Sequence, residues 1–145
     1  MEEIIELKKL IKKHDYEGAL KLAEELEEMG AKDIANNIRS YAVILLLHLI
    51  KRSLENRTTR SWDISISNSA TEISLLNRRP KSKGNYLNHE DLKQAVEDAW
   101  KLAVNRASLQ SLKGKLSPRE IAASVDKDEL VQQALDAIAS SEESF

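Results

Sequence analysis

At 145 residues the chain is close to the commonest size for one domain, and a core of that size folds without a metal or a disulfide. Four glycines, two prolines and 4% aromatics leave little material for turn-rich sheets, so composition points to an all-α protein; the absence of cysteine removes disulfides, thiolate metal sites and cysteine nucleophiles together. The net charge of -2 is unevenly spread, at -3 over residues 1–50, +5 over 51–83 and -4 over 84–145, so any argument for an anionic partner rests on the middle segment alone.

The opening MEEIIELKKL is acidic and amphipathic and lacks the basic and apolar blocks of a signal peptide. Ile4, Leu7, Leu10 and Ile11 fall at helical spacing and predict a first helix over about Glu2 to Lys13. Asp15 reads as the N-cap of a second helix, with Tyr16, Ala19, Leu20, Ala23 and Leu26 as its stripe and Gly30 as its close. A third helix, about 33–54, is apolar nearly all round and predicts the centre of the bundle. Its apolar run, Tyr41 to Ile50, has ten residues and includes His48, well short of the roughly 20 that cross a bilayer. The expectation is a cytoplasmic protein with no membrane partner.

NRTTRS, Asn56 to Ser61, reads as a loop ending in a cap. Trp62, Ile66, Ala70, Ile73 and Leu76 then predict a fourth helix, although Trp62, Ile64 and Ile66 also alternate as a strand does. Pro80 and Gly84 make the basic stretch Asn77 to Tyr86 a turn. Asn88 caps a fifth helix carrying Leu92, Val96, Ala99 and Ala103 inward. Ser117-Pro118-Arg119-Glu120 combines a capping-box pair with proline at the first helical position, so a short helix through Ala123 follows. Asp126 opens the last helix, with Leu130, Ala134, Leu135 and Ile138 on one face. The whole predicts a single-domain bundle of about five to seven helices over 1–139, with 140–145 a frayed acidic tail.

Chemistry is sparse. His14, His48 and His89 are too far apart for a shared metal, no HExxH-like spacing occurs, and the four glycines are isolated, so no metal, cofactor or phosphate loop is expected. His48, on its apolar helix, is the best candidate base, but a histidine so placed is more often a core residue bonded to a neighbour. An Arg and His on one central helix also suggest a ribonuclease, yet Arg39 and His48 are too widely spaced for that pattern. Arg57 and Arg60, with the hydroxyls between them, gather donors at a helix N-terminus, a setting that suits phosphate or carboxylate. Arg78, Arg79, Lys81 and Lys83 offer a second basic patch; pairing with neighbouring acids is the plainer expectation for both groups.

The stretch Ser40 to Ile73, an apolar helix ending HLIK (His48 to Lys51) followed by RSW (Arg60 to Trp62), resembles the bacterial, mainly cyanobacterial, family "domain of unknown function 29". SKGNYL and the AVEDAW helix are similar to one branch, and the C-terminal part departs from the family's usual ending. The resemblance implies a helical bundle with no established activity, and that His48, Arg60 and Trp62 act together. They act either as a packing device, with Trp62 anchoring the fourth helix near His48, or as an anion pocket bounded by His48, Arg57 and Arg60. The expected function is a noncatalytic interaction protein with an unknown protein partner or itself. A phosphate or nucleic-acid binder through 51–83 ranks second, and a cryptic nuclease around His48 third. Acidic flanks on so small a domain disfavour nucleic acid.

Overall fold

The computed structural model of the protein describes residues 2–79 and 84–142. Among these residues the fold is all-α: α1 (Glu2–Lys12), α2 (Tyr16–Glu55), α3 (Arg60–Asn77), α4 (His89–Asp98), α5 (Trp100–Gln110), α6 (Pro118–Ser124) and α7 (Lys127–Ser140), with a 3-10 turn at Leu112–Gly114. The stretch from Trp62 to Ile66 is helical, so the strand-like alternation there loses to the longer stripe. Among the described residues the nearest thing to a sheet is one antiparallel bridge, Arg78 with Asn85. No described helix is long and apolar enough to cross a membrane.

The chain forms two compact units, Met1–Ile34 and Ala35–Phe145. In the first, α1 ends on a left-handed His14, φ 61°, where glycine is the usual choice. The Asp15 N–H then reaches the Leu10 carbonyl at 2.9 Å and the His14 N–H reaches Ile11 at 3.1 Å, which satisfies carbonyls the helix end leaves free. The Asp15 carboxylate caps the next helix by accepting from the Gly18 N–H at 3.0 Å. A Cβ on Gly18 would lie 2.6 Å from that carboxylate, so glycine keeps the cap open.

The expected break at Gly30 is absent. Tyr16–Glu55 is one helix of 40 residues, and Gly30 lies exposed inside it. Glycine in a helix costs about 1 kcal/mol relative to alanine, and no proline or capping residue beside it offers the chain an alternative. The predicted second and third helices are therefore one.

The second unit is built on the apolar part of α2. Ile38, Leu45, Leu46 and Ile50 are fully buried, as are Ile73 of α3, Val96 of α4 and Ile121 of α6. α7 packs against α3 and α4 through Leu130, Val131, Ala134, Leu135 and Ile138, and α6 packs against α5. The expected fifth helix is broken at Ala99, whose N–H turns to Val96 at 3.1 Å and which separates α4 from α5. Ser117 and Glu120 form the reciprocal capping box, with bonds of 3.2 and 3.1 Å, and Pro118 opens α6. Asn88 and Asp126 cap α4 and α7.

Two features fix how α3 and α5 end. Asn77, buried at the last position of α3, clasps Leu87: its Oδ1 accepts from the Leu87 N–H at 2.8 Å and its Nδ2 donates to the Leu87 carbonyl at 3.3 Å. After α5, Leu112, Lys113 and Gly114 all take positive φ, at 49°, 58° and 71°. For Leu112 and Lys113 this is strained backbone, roughly 1–2 kcal/mol each, and something must hold it.

Candidate functional site

The residues singled out by the sequence meet at the junction of α2 and α3. Glu55 ends α2, Asn56 turns the chain through a left-handed φ of 49°, and Thr59 caps α3 by accepting from the Trp62 N–H at 3.1 Å. The cap thus falls at Thr59 rather than Ser61, which makes Arg60 the first residue of α3. Trp62 is half-buried. The Arg57 guanidinium lies 4.7 Å from its ring centroid and the Lys51 Nζ 5.4 Å, so two cations share one aromatic face system.

Each of those cations is also held by a polar partner. Arg57 donates twice to Glu55 Oε1, at 3.2 Å from Nε and 3.0 Å from Nη2. Lys51 donates to Gln110 Oε1 at 3.0 Å. Arg52 meets Asp63 at 3.4 Å, and the Thr58 hydroxyl donates to the same Asp63 oxygen at 2.6 Å. The other oxygen of Glu55 accepts from the Ser111 hydroxyl at 2.8 Å, and Ser111 is 0% exposed. This bond ties the end of α2 to the start of the left-handed turn after α5, which is also spanned by the Ser108 hydroxyl donating to the Leu116 carbonyl at 2.6 Å and the Gly114 N–H donating to the Ser111 carbonyl at 2.9 Å.

The Ser111 hydroxyl, then the Arg57 guanidinium beside it and the charge of Lys51, hold the Glu55 carboxyl below the usual carboxylate range, while burial pushes it the other way. The result is a belt of partly exposed polar contacts beside Trp62, with Lys51 and Arg57 over its ring. Of the sequence candidates, Arg57 and Trp62 are brought together. His48 is half-buried and its Nδ1–H donates to the Ile44 carbonyl at 2.8 Å, one turn back on its own helix. Among the described residues no hydrogen bond or ring contact joins His48 to Arg60 or Trp62, and Arg60 is exposed. The anion pocket of His48, Arg57 and Arg60 is not assembled, because Glu55 and the Trp62 ring take Arg57.

Arg78 and Arg79 are exposed, with the Arg79 guanidinium 5.2 Å from the Tyr86 ring; Lys81 and Lys83 lie outside the described residues. Glu55, Gln110 and Ser111 were not legible as site residues, since nothing in the sequence pairs positions 51 and 55 with 110 and 111. A separate crevice of about 190 Å³ lies between α3, α4 and α7, with a mixed lining that includes Ser74, His89, Leu92, Leu135, Asp136 and Ile138. No group of three His, Cys, Asp or Glu able to hold a metal occurs among the described residues.

One face remains open. On α5, Leu102 is 51% and Leu109 82% exposed; they stand two turns apart with Arg106 between them. The left-handed turn adds exposed Leu112 and Lys113 to the end of that row, around an open hollow of about 350 Å³ also lined by Lys115 and Leu116. From Ala99 to Arg119 the chain carries five cations and no carboxylate.

The family described as "Domain of unknown function DUF29" matches residues 4–133. No curated protein and no solved structure matches the chain.

Proposed function

The chain belongs to the family of the Domain of unknown function DUF29, and we propose that within it this protein is a noncatalytic interaction module acting in the cytoplasm. The observation that carries the reading is the exposed row Leu102, Leu109 and Leu112 flanked by exposed Arg106, Lys113 and Lys115. Apolar side chains held out by a rigid helix lose solvation free energy on every contact with water, roughly 25 cal/mol per Å², and a partner recovers it. The strain stored at Leu112 and Lys113 supports the same reading, because left-handed backbone is kept where it places side chains for use.

The belt around Trp62 serves this surface. By fixing Ser111 it fixes the direction in which Leu112 and Lys113 leave α5. On this reading Glu55, which bonds Ser111, is a positioning residue for the leucine row, with Arg57 and Lys51 beside it over the Trp62 ring.

A photo-crosslinking residue at position 109, introduced into the full-length protein in its host, tests the proposal. Specific adducts at 109 that are missing when the same group stands at exposed Glu72 are expected. Equal labelling from both positions, or none from 109, overturns the reading.

A further inference from the structure

The proposed interaction surface has a partner of matching chemistry in the same sequence, and we propose that α1 of one copy docks antiparallel along the leucine row of α5 in a second copy. This inference rests on the reading of α5 as an interaction surface, and goes beyond it by naming the occupant.

α1 cannot stand on its own. It has 11 residues, and isolated helices shorter than about 12–15 residues are marginal in water even with the best helix formers. Packing must supply the difference, yet no residue of α1 is buried. Ile4, Ile5 and Ile11 are exposed, at 43%, 54% and 49%. Leu7 and Leu10 are half-buried within the chain, so it is the exposed Ile4, Ile5 and Ile11 beside them that call for a partner surface.

α5 meets it in length, spacing and charge. It also has 11 residues, so both helices are about 16 Å long. Ile4 and Ile11 stand seven residues apart, as do Leu102 and Leu109, the repeat at which two helices present matching knobs and holes. Charge then sets direction. The start of α1 carries Glu2 and Glu6, and its end carries Lys8, Lys9, Lys12 and Lys13. The α5 row ends beside Lys113 and Lys115; at its start Lys101 follows Glu97 and Asp98, the last residues of α4. The antiparallel arrangement sets the acids of α1 against Lys113 and Lys115 and its lysines against Glu97 and Asp98, with Lys101 the one like charge among them, whereas the parallel one opposes like charges at both ends. Antiparallel packing also opposes the two helix dipoles.

Sedimentation of the full-length protein over a concentration series, at low and high salt, tests this. The wild type is expected to self-associate, more weakly at high salt because the end charges are screened. Leu109→Glu and Ile11→Glu each alter a side chain that is exposed in the single chain, so circular dichroism should report intact helices. Each is expected to weaken association at least tenfold. Mixing the two variants supplies the decisive reading. The Leu109→Glu chain keeps a sound α1 and the Ile11→Glu chain keeps a sound α5, so one contact is restored and unlike chains should pair better than like ones.

A wild type that stays monomeric, an assembly indifferent to Leu109→Glu, or a mixture no better than its components overturns the proposal. Position-109 crosslinks to a different protein from a monomeric wild type would remove the second copy as occupant and leave the interaction reading standing. Absence of any 109-specific crosslink, from a chain that still self-associates, would remove both.

Discussion

Asn77 and His48 are both polar side chains on helices of the second unit, and their removal should differ in cost. Asn77 satisfies the N–H and the carbonyl of buried Leu87, so Asn77→Ala orphans two backbone groups at once. A loss of roughly 2–4 kcal/mol is expected in urea unfolding, with an unchanged denaturant slope. His48 donates to the Ile44 carbonyl, which the backbone N–H of residue 48 already bonds within α2. His48→Ala leaves that carbonyl satisfied and should cost about 1 kcal/mol or less. Equal losses would refute the distinction. Glu55 adds a pH signature. Its folded carboxyl lies below the ordinary 4.5, so its contribution is whole above that value and is lost as pH falls through the lowered one. The melting temperatures of wild type and Glu55→Gln should therefore differ at neutral pH and converge on acidification. A constant gap would show that the charge on Glu55 is immaterial.

Among the elements, caps were the most legible. Asp15, Asn88, Ser117 and Asp126 cap their helices as expected, because a short acceptor three residues before a free N–H is local chemistry that needs no tertiary context. Two boundaries were not legible. Gly30 resembles a helix stop, but glycine stops a helix by adopting positive φ, and here it does not. Ala99, the best helix former, interrupts the α4–α5 stretch, a break that no propensity foretells. The left-handed turn at Leu112 and Lys113 was equally hidden, since leucine and lysine do not favour positive φ and one of its bonds, from Ser111 to Glu55, crosses 56 residues of sequence. Gly30 gives a direct test. A Cβ there meets nothing within 4 Å, so Gly30→Ala should stabilise α2 by up to about 1 kcal/mol, read as a higher melting temperature. A lower one would mean that the helix uses the glycine.

At the scale of the whole molecule, the +5 middle segment raised the question of nucleic acid. Arg57 is paired with Glu55, Arg52 faces Asp63 and Lys51 is bonded to Gln110, which leaves exposed Arg60, Arg78 and Arg79 as the described cations of that segment without an acidic partner. Nonspecific binding depends on the number of phosphates neutralised, and each cation already paired must break that pairing first. Filter binding with single- and double-stranded RNA and DNA should therefore show nothing tighter than roughly 10⁻⁶ M near physiological salt. Micromolar or tighter binding that disappears in the Arg78→Ala, Arg79→Ala protein would restore the basic segment as a binding site. The all-α class was readable from composition and stripes; the charge arithmetic was readable too, but which charges remain free is decided by contacts that sequence does not display.

The single helix α2 belongs to both compact units, and its amides should therefore keep two clocks. Around Ile38 to Ile50 the helix is sealed by the core, so deuterium can enter only when the unit unfolds globally. From Glu17 to Gly30 the same hydrogen-bonded ladder is flanked by exposed Leu20 and Met29, and a local opening is enough to admit solvent. Native-state exchange should thus show a step in protection along one unbroken helix, with the change falling between Gly30 and Ile38. Uniform protection across the 40 residues would instead make α2 one cooperative element, opening only as a whole.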